Sequence, residues 1–93
     1  MATLDCRITV PKEVLFRNLD DEAVLLQLQT GQYYGLDAVG TRAWVLLAEH
    51  GQVDRVFQAM REEYEVDDER LRQGLLRLLD ELASLQLLKL EET

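Results

Sequence analysis

The hydrophobic pattern of this chain changes period once, at Asp37, and no other feature limits its possible folds as strongly. Before that point "EVLFRNLDDEAVLLQLQTGQYYGL" breaks into three short apolar runs separated by "LDDE" and "QTGQ". Within them Val14 and Phe16 alternate with Leu15 and Arg17, Val24, Leu26 and Leu28 alternate with Leu25 and Gln27, and Tyr34 and Leu36 alternate with Tyr33 and Gly35. A period of two places successive side chains on opposite faces of a strand, and each gap holds the Asp or Gly that tight turns favour. Three antiparallel strands in a meander are expected. The third, about Gln32 to Leu36, is short and comes last, so pairing in chain order leaves one of its sides without a partner.

From Asp37 onward the period is helical. Asp37 is the expected N-cap of a first helix over about Ala38 to His50, with Val39, Ala43, Trp44, Leu46 and Leu47 as its apolar stripe and Gly51 at its left-handed end. A second helix is expected over about Val53 to Tyr64, with Val56, Phe57, Met60 and Tyr64 on one face. A third runs over about Asp68 to Leu85 and is capped by Asp67 or Asp68. The tail "QLLKLEET" has the composition of one more short strand or wing. The fold class is α+β, a three-stranded antiparallel sheet followed by three helices in a winged helix-turn-helix-like order.

At 93 residues the chain is expected to form a single domain, residues 1–93, with an ordered core of about 11–88. Its N-terminus lacks the cationic and apolar segments of a secretory signal, and no run approaches the roughly 18 apolar residues of a membrane span, so a cytoplasmic location is the expectation. Cys6, the only cysteine, falls in an N-terminal arm expected to be mobile. One histidine, His50, and one cysteine do not make a metal set, no phosphate-binding glycine motif is present, and the abundant carboxylates read as solvated helix faces. Neither a metal, a cofactor nor an enzymatic activity is expected. A net charge of −8 repels phosphate backbones, and the side chains that the third helix could offer to DNA, Arg70, Arg72, Gln73 and Arg77, are offset by Asp68, Glu69, Asp80 and Glu81.

On a helical wheel Leu71, Leu75, Leu78, Leu82 and Leu85 fall within roughly 80° of one another and would face the core. Leu76, Leu79, Ala83 and the stem of Arg72 form a shoulder that widens the apolar arc to about 180°. Such a shoulder either packs under the sheet or forms a groove beside the unpaired strand, with Glu69 and Asp80 on the rim as acceptors for a cationic ligand. An open edge next to an apolar groove is what β-augmentation requires: the edge hydrogen-bonds an incoming extended peptide, and alternate side chains of that peptide enter the groove. "QYYGL" carries none of the lysines or prolines that usually blunt an edge.

The runs "LQTGQYYGLDAVGTRAWVLL", "VFQAMREEYEVD" and "LLRLLDELASLQLL" resemble the PqqD-like proteins known as RiPP recognition elements, especially the discrete versions of lasso-peptide biosynthesis. The match covers about Pro11 to Leu88, and its most specific part is Tyr33-Tyr34-Gly35-Leu36-Asp37 with Gly40 and Trp44 following. The resemblance implies a non-catalytic domain that clamps the leader segment of a ribosomally made precursor between its third strand and third helix. It also implies delivery of that leader to a leader peptidase and an ATP-dependent cyclase. Carried over by position, Gln32, Tyr33, Tyr34, Gly35 and Leu36 would supply backbone pairing, Arg72, Leu76, Leu79 and Ala83 the pockets, and Glu69 and Asp80 the rim. Strand alternation lets only one of Tyr33 and Tyr34 face the groove and leaves open which. Two other readings stand beside this one: a winged-helix DNA-binding regulator, and an adaptor that bridges enzymes without touching the precursor. The edge strand could also join two copies in a homodimer.

Overall fold

The computed structural model describes residues 2–92. Its elements in chain order are β1 (Cys6–Thr9), β2 (Val14–Leu19), β3 (Glu22–Gln27), β4 (Tyr33–Leu36), α1 (Ala38–His50), α2 (Val53–Glu63), α3 (Asp68–Ser84) and β5 (Lys89–Glu92). The three expected strands form one antiparallel sheet in the order β2-β3-β4, and β1 pairs with β5 in a separate two-stranded sheet. Among the described residues, no helix is long and apolar enough to cross a membrane.

The sheet follows from its turns. "LDDE" closes the β2–β3 hairpin with Asp20 at φ 60°, a conformation that Asp tolerates better than most residues. Gly31, at φ 77°, turns β3 into β4 while its N–H donates to the Gln27 carbonyl at 2.8 Å. Leu25, Leu36 and Ala23 point inward to the core, whereas Leu15 and Tyr33 stand on the other face, which carries no layer of helices.

The first helix begins and ends where its caps dictate. The Asp37 carboxylate accepts from the Gly40 N–H at 2.7 Å, and Gly51, at φ 71°, returns its N–H to the Leu47 carbonyl. Gly40 is needed at this N-terminus: a Cβ there would lie 3.2 Å from Asp37 Oδ1 and 3.3 Å from Leu36 Cδ2. Its close neighbours are thus the cap and the strand end. Trp44 is buried, and its ring stacks on Phe16 at 6.3 Å between centroids. In α3 the cap is Asp67, whose carboxylate accepts from the Arg70 N–H at 3.2 Å.

Two expectations fail here. The N-terminal arm is part of the core: Ala2, Cys6 and Ile8 are buried in the same cluster as Leu25, Leu47 and Leu82, because β1 finds its partner in β5 at the far end of the chain. Cys6 is buried as a small apolar side chain, and the packed structure extends past both ends of the 11–88 span. The second failure concerns α3. Its buried residues are Leu75, Leu79 and Leu82. At about 100° per residue this centres the core-facing arc about 40° away from the stripe read from the sequence, toward Leu79. Leu71, Leu78 and Leu85 are consequently only partly buried.

A polar contact secures the end of α3 to the sheet. Gln27, 2% exposed, donates from Nε2 to the Gln86 carbonyl at 2.7 Å and accepts the Gln29 N–H at its Oε1 at 2.9 Å. Both ends of a buried amide are thereby satisfied, as burial of a polar group demands.

Candidate functional site

Strand β4 pairs with β3 on one side, and its other side carries no strand among the described residues. The register assigns each backbone group of β4 to one side or the other. The Gln27 N–H donates to the Gln32 carbonyl at 2.8 Å, so Gln32 belongs to a hydrogen-bonded pair with β3. In an antiparallel ladder such pairs alternate with non-hydrogen-bonded ones. Tyr34, opposite Leu25, and Leu36, opposite Ala23, therefore turn their N–H and C=O toward β3. Tyr33, opposite Leu26, and Gly35, opposite Val24, turn theirs to the free edge. Of the five residues Gln32 to Leu36, the backbone groups of two are offered outward.

Beside this edge lies a cleft of about 710 Å³ between β4, the start of α1, the α2–α3 loop and one flank of α3. Its strand wall is Tyr34, Gly35 and Leu36, and its helical wall is Leu71, Gly74, Leu75 and Leu78. Val39 and Val66, both exposed, stand in its lining. Glycine occurs on each wall, and a Cβ added at Gly35 or at Gly74 would meet nothing within 4 Å. Neither glycine is there to relieve a contact within the protein, and Gly74 leaves the helical wall of the cleft open.

Alternation in β4 now separates the two tyrosines. Tyr33 is 74% exposed on the uncovered face of the sheet, and Tyr34 is half-buried and lines the cleft. The Tyr34 hydroxyl donates to Glu81 Oε2 at 2.5 Å, joining β4 to α3 across a sequence separation of 47 residues. That hydrogen bond to a carboxylate, followed by partial burial and by the negative charges of Glu81 and Asp37, raises the phenol above its ordinary pKa. Tyr34 stays protonated and remains a donor in neutral solution.

The side chains that sequence reasoning assigned to the pockets lie elsewhere. Leu79 is fully buried in the core, so it lines no groove. Arg72, Leu76, Asp80 and Ala83 sit on the opposite flank of α3, and none of them lines the cleft. Leu76 and Asp80 border a second hollow with Ala2, where Asp80 Oδ1 accepts the Ala2 N–H at 2.7 Å. Glu69 accepts from Arg72 Nε at 3.2 Å, and this pairing holds the Glu69 carboxyl below its usual range; neither side chain faces β4. Instead Leu71, Gly74, Leu78 and Glu81 bring α3 to the edge strand. The signal for them was present as the leucines of the expected core stripe; what could not be read was which shoulder of the helix meets the sheet.

Among the described residues no group of three or more His, Cys, Asp or Glu side chains could hold a metal ion. The edge and its cleft offer two outward backbone residues, a lining in which leucines and valines stand beside Asp37, Asp67 and Arg70, and at the border the Tyr34–Glu81 pair, a set suited to holding an extended chain.

A solved structure of TbiB1 in complex with the TbiA(beta) leader peptide is 42% identical, covers 86% of this chain and 93% of that chain, and superposes with a TM-score of 0.81. A lasso peptide synthetase B1 complexed with the leader peptide is 25% identical, with 89% and 98% coverage and a TM-score of 0.71. No curated protein matches the chain. The family model described as coenzyme PQQ synthesis protein D (PqqD) matches residues 22–88, from the start of β3 to the end of the buried Leu87–Leu88 segment that follows α3. The chain belongs to the PqqD family.

Proposed function

We propose that this protein binds the leader segment of a ribosomally synthesised precursor peptide by strand addition to β4, and presents it to maturation enzymes in lasso-peptide biosynthesis. The single observation that carries the proposal is the free edge of β4 beside an apolar cleft. Two solved relatives of the same fold, each complexed with a leader peptide, support it. In this reading Tyr33 and Gly35 supply main-chain hydrogen bonds, while Tyr34, Leu71, Gly74, Leu75 and Leu78 receive the ligand side chains that point inward. The domain carries its ligand and supplies no reacting group; chemistry belongs to a leader peptidase and a cyclase that act on the presented precursor. Such a carrier would work in the cytoplasm, where the precursor is made.

The experiment is amide hydrogen exchange with and without the TbiA(beta) leader peptide, alongside fluorescence anisotropy for stoichiometry. One-to-one binding that slows the amides of Tyr33 and Gly35, with little change at Tyr34, is expected. Binding that leaves both amides unprotected would overturn strand addition. A DNA-binding role is less well supported, since Arg72 and Arg61 are engaged by Glu69 and Asp68 on a chain of net charge −8. Salt-sensitive retention of duplex DNA in a gel shift would reinstate it.

A further inference from the structure

The Tyr34–Glu81 pair lies where an added strand would place a side chain, and this position permits a more specific inference resting on the leader-binding reading. In an antiparallel strand joined to β4, the ligand residues opposite Tyr33 and Gly35 are hydrogen-bonded pairs, so their side chains share the outer face with Tyr33. The residue between them, opposite Tyr34, forms a non-hydrogen-bonded pair, the type in which Cα atoms approach to about 4.5 Å and side chains on one face are closest. Its side chain lies on the cleft side of the sheet next to the Tyr34 ring, whose hydroxyl leads to Glu81 on α3, at the border between the cleft and the second hollow. Two residues toward the ligand's N-terminus, the side chain opposite Leu36 enters the same cleft, whose lining combines Leu36, Leu71, Leu75 and Leu78 with Asp37, Asp67 and Arg70.

The two inward positions therefore differ in chemistry. At the second the lining holds leucines together with charges of both signs, Asp37, Asp67 and Arg70. At the first a carboxylate is present, and its use is only half complete: Glu81 Oε2 accepts from Tyr34, and among the described residues Glu81 has no ion-pair partner. Glu81 is exposed, so a ligand group can reach it without entering the core. Tyr34 further holds the carboxylate toward β4, since the phenol spans from the edge strand to α3.

We infer that Glu81, oriented by Tyr34, is a specificity-determining residue that selects a cationic side chain, Lys or Arg, at the ligand position opposite Tyr34. The carboxylate accepts the ammonium or guanidinium, and an acidic residue at that position meets an uncompensated like charge. One position of the ligand is read by a single carboxylate, whereas its neighbour two residues away meets leucines and charges of both signs. The chain's overall charge of −8 attracts any basic peptide, so only a preference confined to one position distinguishes Glu81 from the general field.

The test uses the full chain and fluorescein-labelled TbiA(beta) leader peptides in which each position in turn carries Lys, norleucine or Glu, with affinities read by anisotropy. Wild-type protein should show one position where Lys binds roughly three- to tenfold more tightly than Glu, beyond the uniform charge effect seen elsewhere. In Glu81→Gln that excess should disappear at that position alone, and in Glu81→Lys it should reverse. Tyr34→Phe should broaden the preference by freeing the carboxylate while leaving Lys favoured. Circular dichroism of each variant confirms that it is folded. If the Lys-to-Glu ratio is flat along the peptide, or if Glu81→Gln leaves its profile unchanged, the assignment of Glu81 is wrong while leader binding stands. Failure of every peptide to bind wild-type protein would overturn both.

Discussion

The side-chain amide of Gln27 donates to the main-chain carbonyl of Gln86 at 2.7 Å, tying the middle of the sheet to the turn that leaves α3. Removing the amide takes a hydrogen-bond partner from the Gln86 carbonyl and from the Gln29 N–H together. Gln27→Leu should cost about 1–3 kcal/mol, the loss of two hydrogen bonds worth about 0.5–1.5 kcal/mol each. Urea unfolding followed by Trp44 fluorescence measures the loss; an unchanged midpoint would refute this account of the amide.

Gly74 sits in the interior of a 17-residue helix with open space where a Cβ would be. Glycine there costs about 0.5–1 kcal/mol relative to alanine. Gly74→Ala should therefore stabilise the free protein by about that amount, and should weaken leader binding because the added methyl narrows the cleft. Gly40→Ala should do the reverse to stability, losing about 1 kcal/mol, since its Cβ crowds the Asp37 carboxylate that caps α1. Paired thermal melts and anisotropy titrations would separate the two effects.

The two flanks of α3 should respond differently to truncation. Leu78→Ala removes apolar surface from the cleft wall and should weaken leader binding by about tenfold, the scale of 1–2 kcal/mol for partial loss of a buried leucine contact. Leu76→Ala, on the flank that borders Ala2 and Asp80, should leave affinity within about twofold, because fewer than 0.5 kcal/mol are expected from a change away from the site. Equal losses at both positions would mean that the ligand does not lie between β4 and α3.

Alkaline pH should loosen the connection between β4 and α3. The Tyr34 phenol has a folded-state pKa above its ordinary value of 10.0, chiefly because it donates to Glu81. A raised pKa means that its contribution to stability is complete below the unfolded value and is lost as pH rises through the folded one. Wild-type protein should thus lose stability at alkaline pH more steeply than Tyr34→Phe, in which no proton can leave. Urea midpoints collected from neutral to strongly alkaline pH would show it, and parallel curves would remove the role given to this hydrogen bond.

The parts of the fold that are local in sequence were legible. Asp37 and Gly51 bracket α1 because a cap and a left-handed glycine act within one turn of the helix they end. The meander was readable from alternation and from the Asp and Gly of its turns. Its free edge followed from chain order. What depended on distant partners was not legible. The strand containing Cys6 is stabilised by residues 89–92, and nothing near Cys6 announces that pairing. The misreading of α3 has the same origin: an apolar arc has two shoulders that are equivalent on a wheel, and only the packing against β4 distinguishes Leu71 and Leu78 from Leu76 and Ala83. Tyr34 and Glu81, 47 residues apart, became a pair only when strand and helix were placed side by side.

Among the described residues both outer strands of the three-stranded sheet, β2 as well as β4, carry no further strand. Such a sheet has two unlike borders, and joining the β2 border of one molecule to the β4 border of the next is a head-to-tail contact that does not close on itself. Repeated, it is the geometry of a growing fibre. A peptide seated on β4 would terminate every such chain, so the cognate ligand should also act as a solubilising cap during concentration and storage.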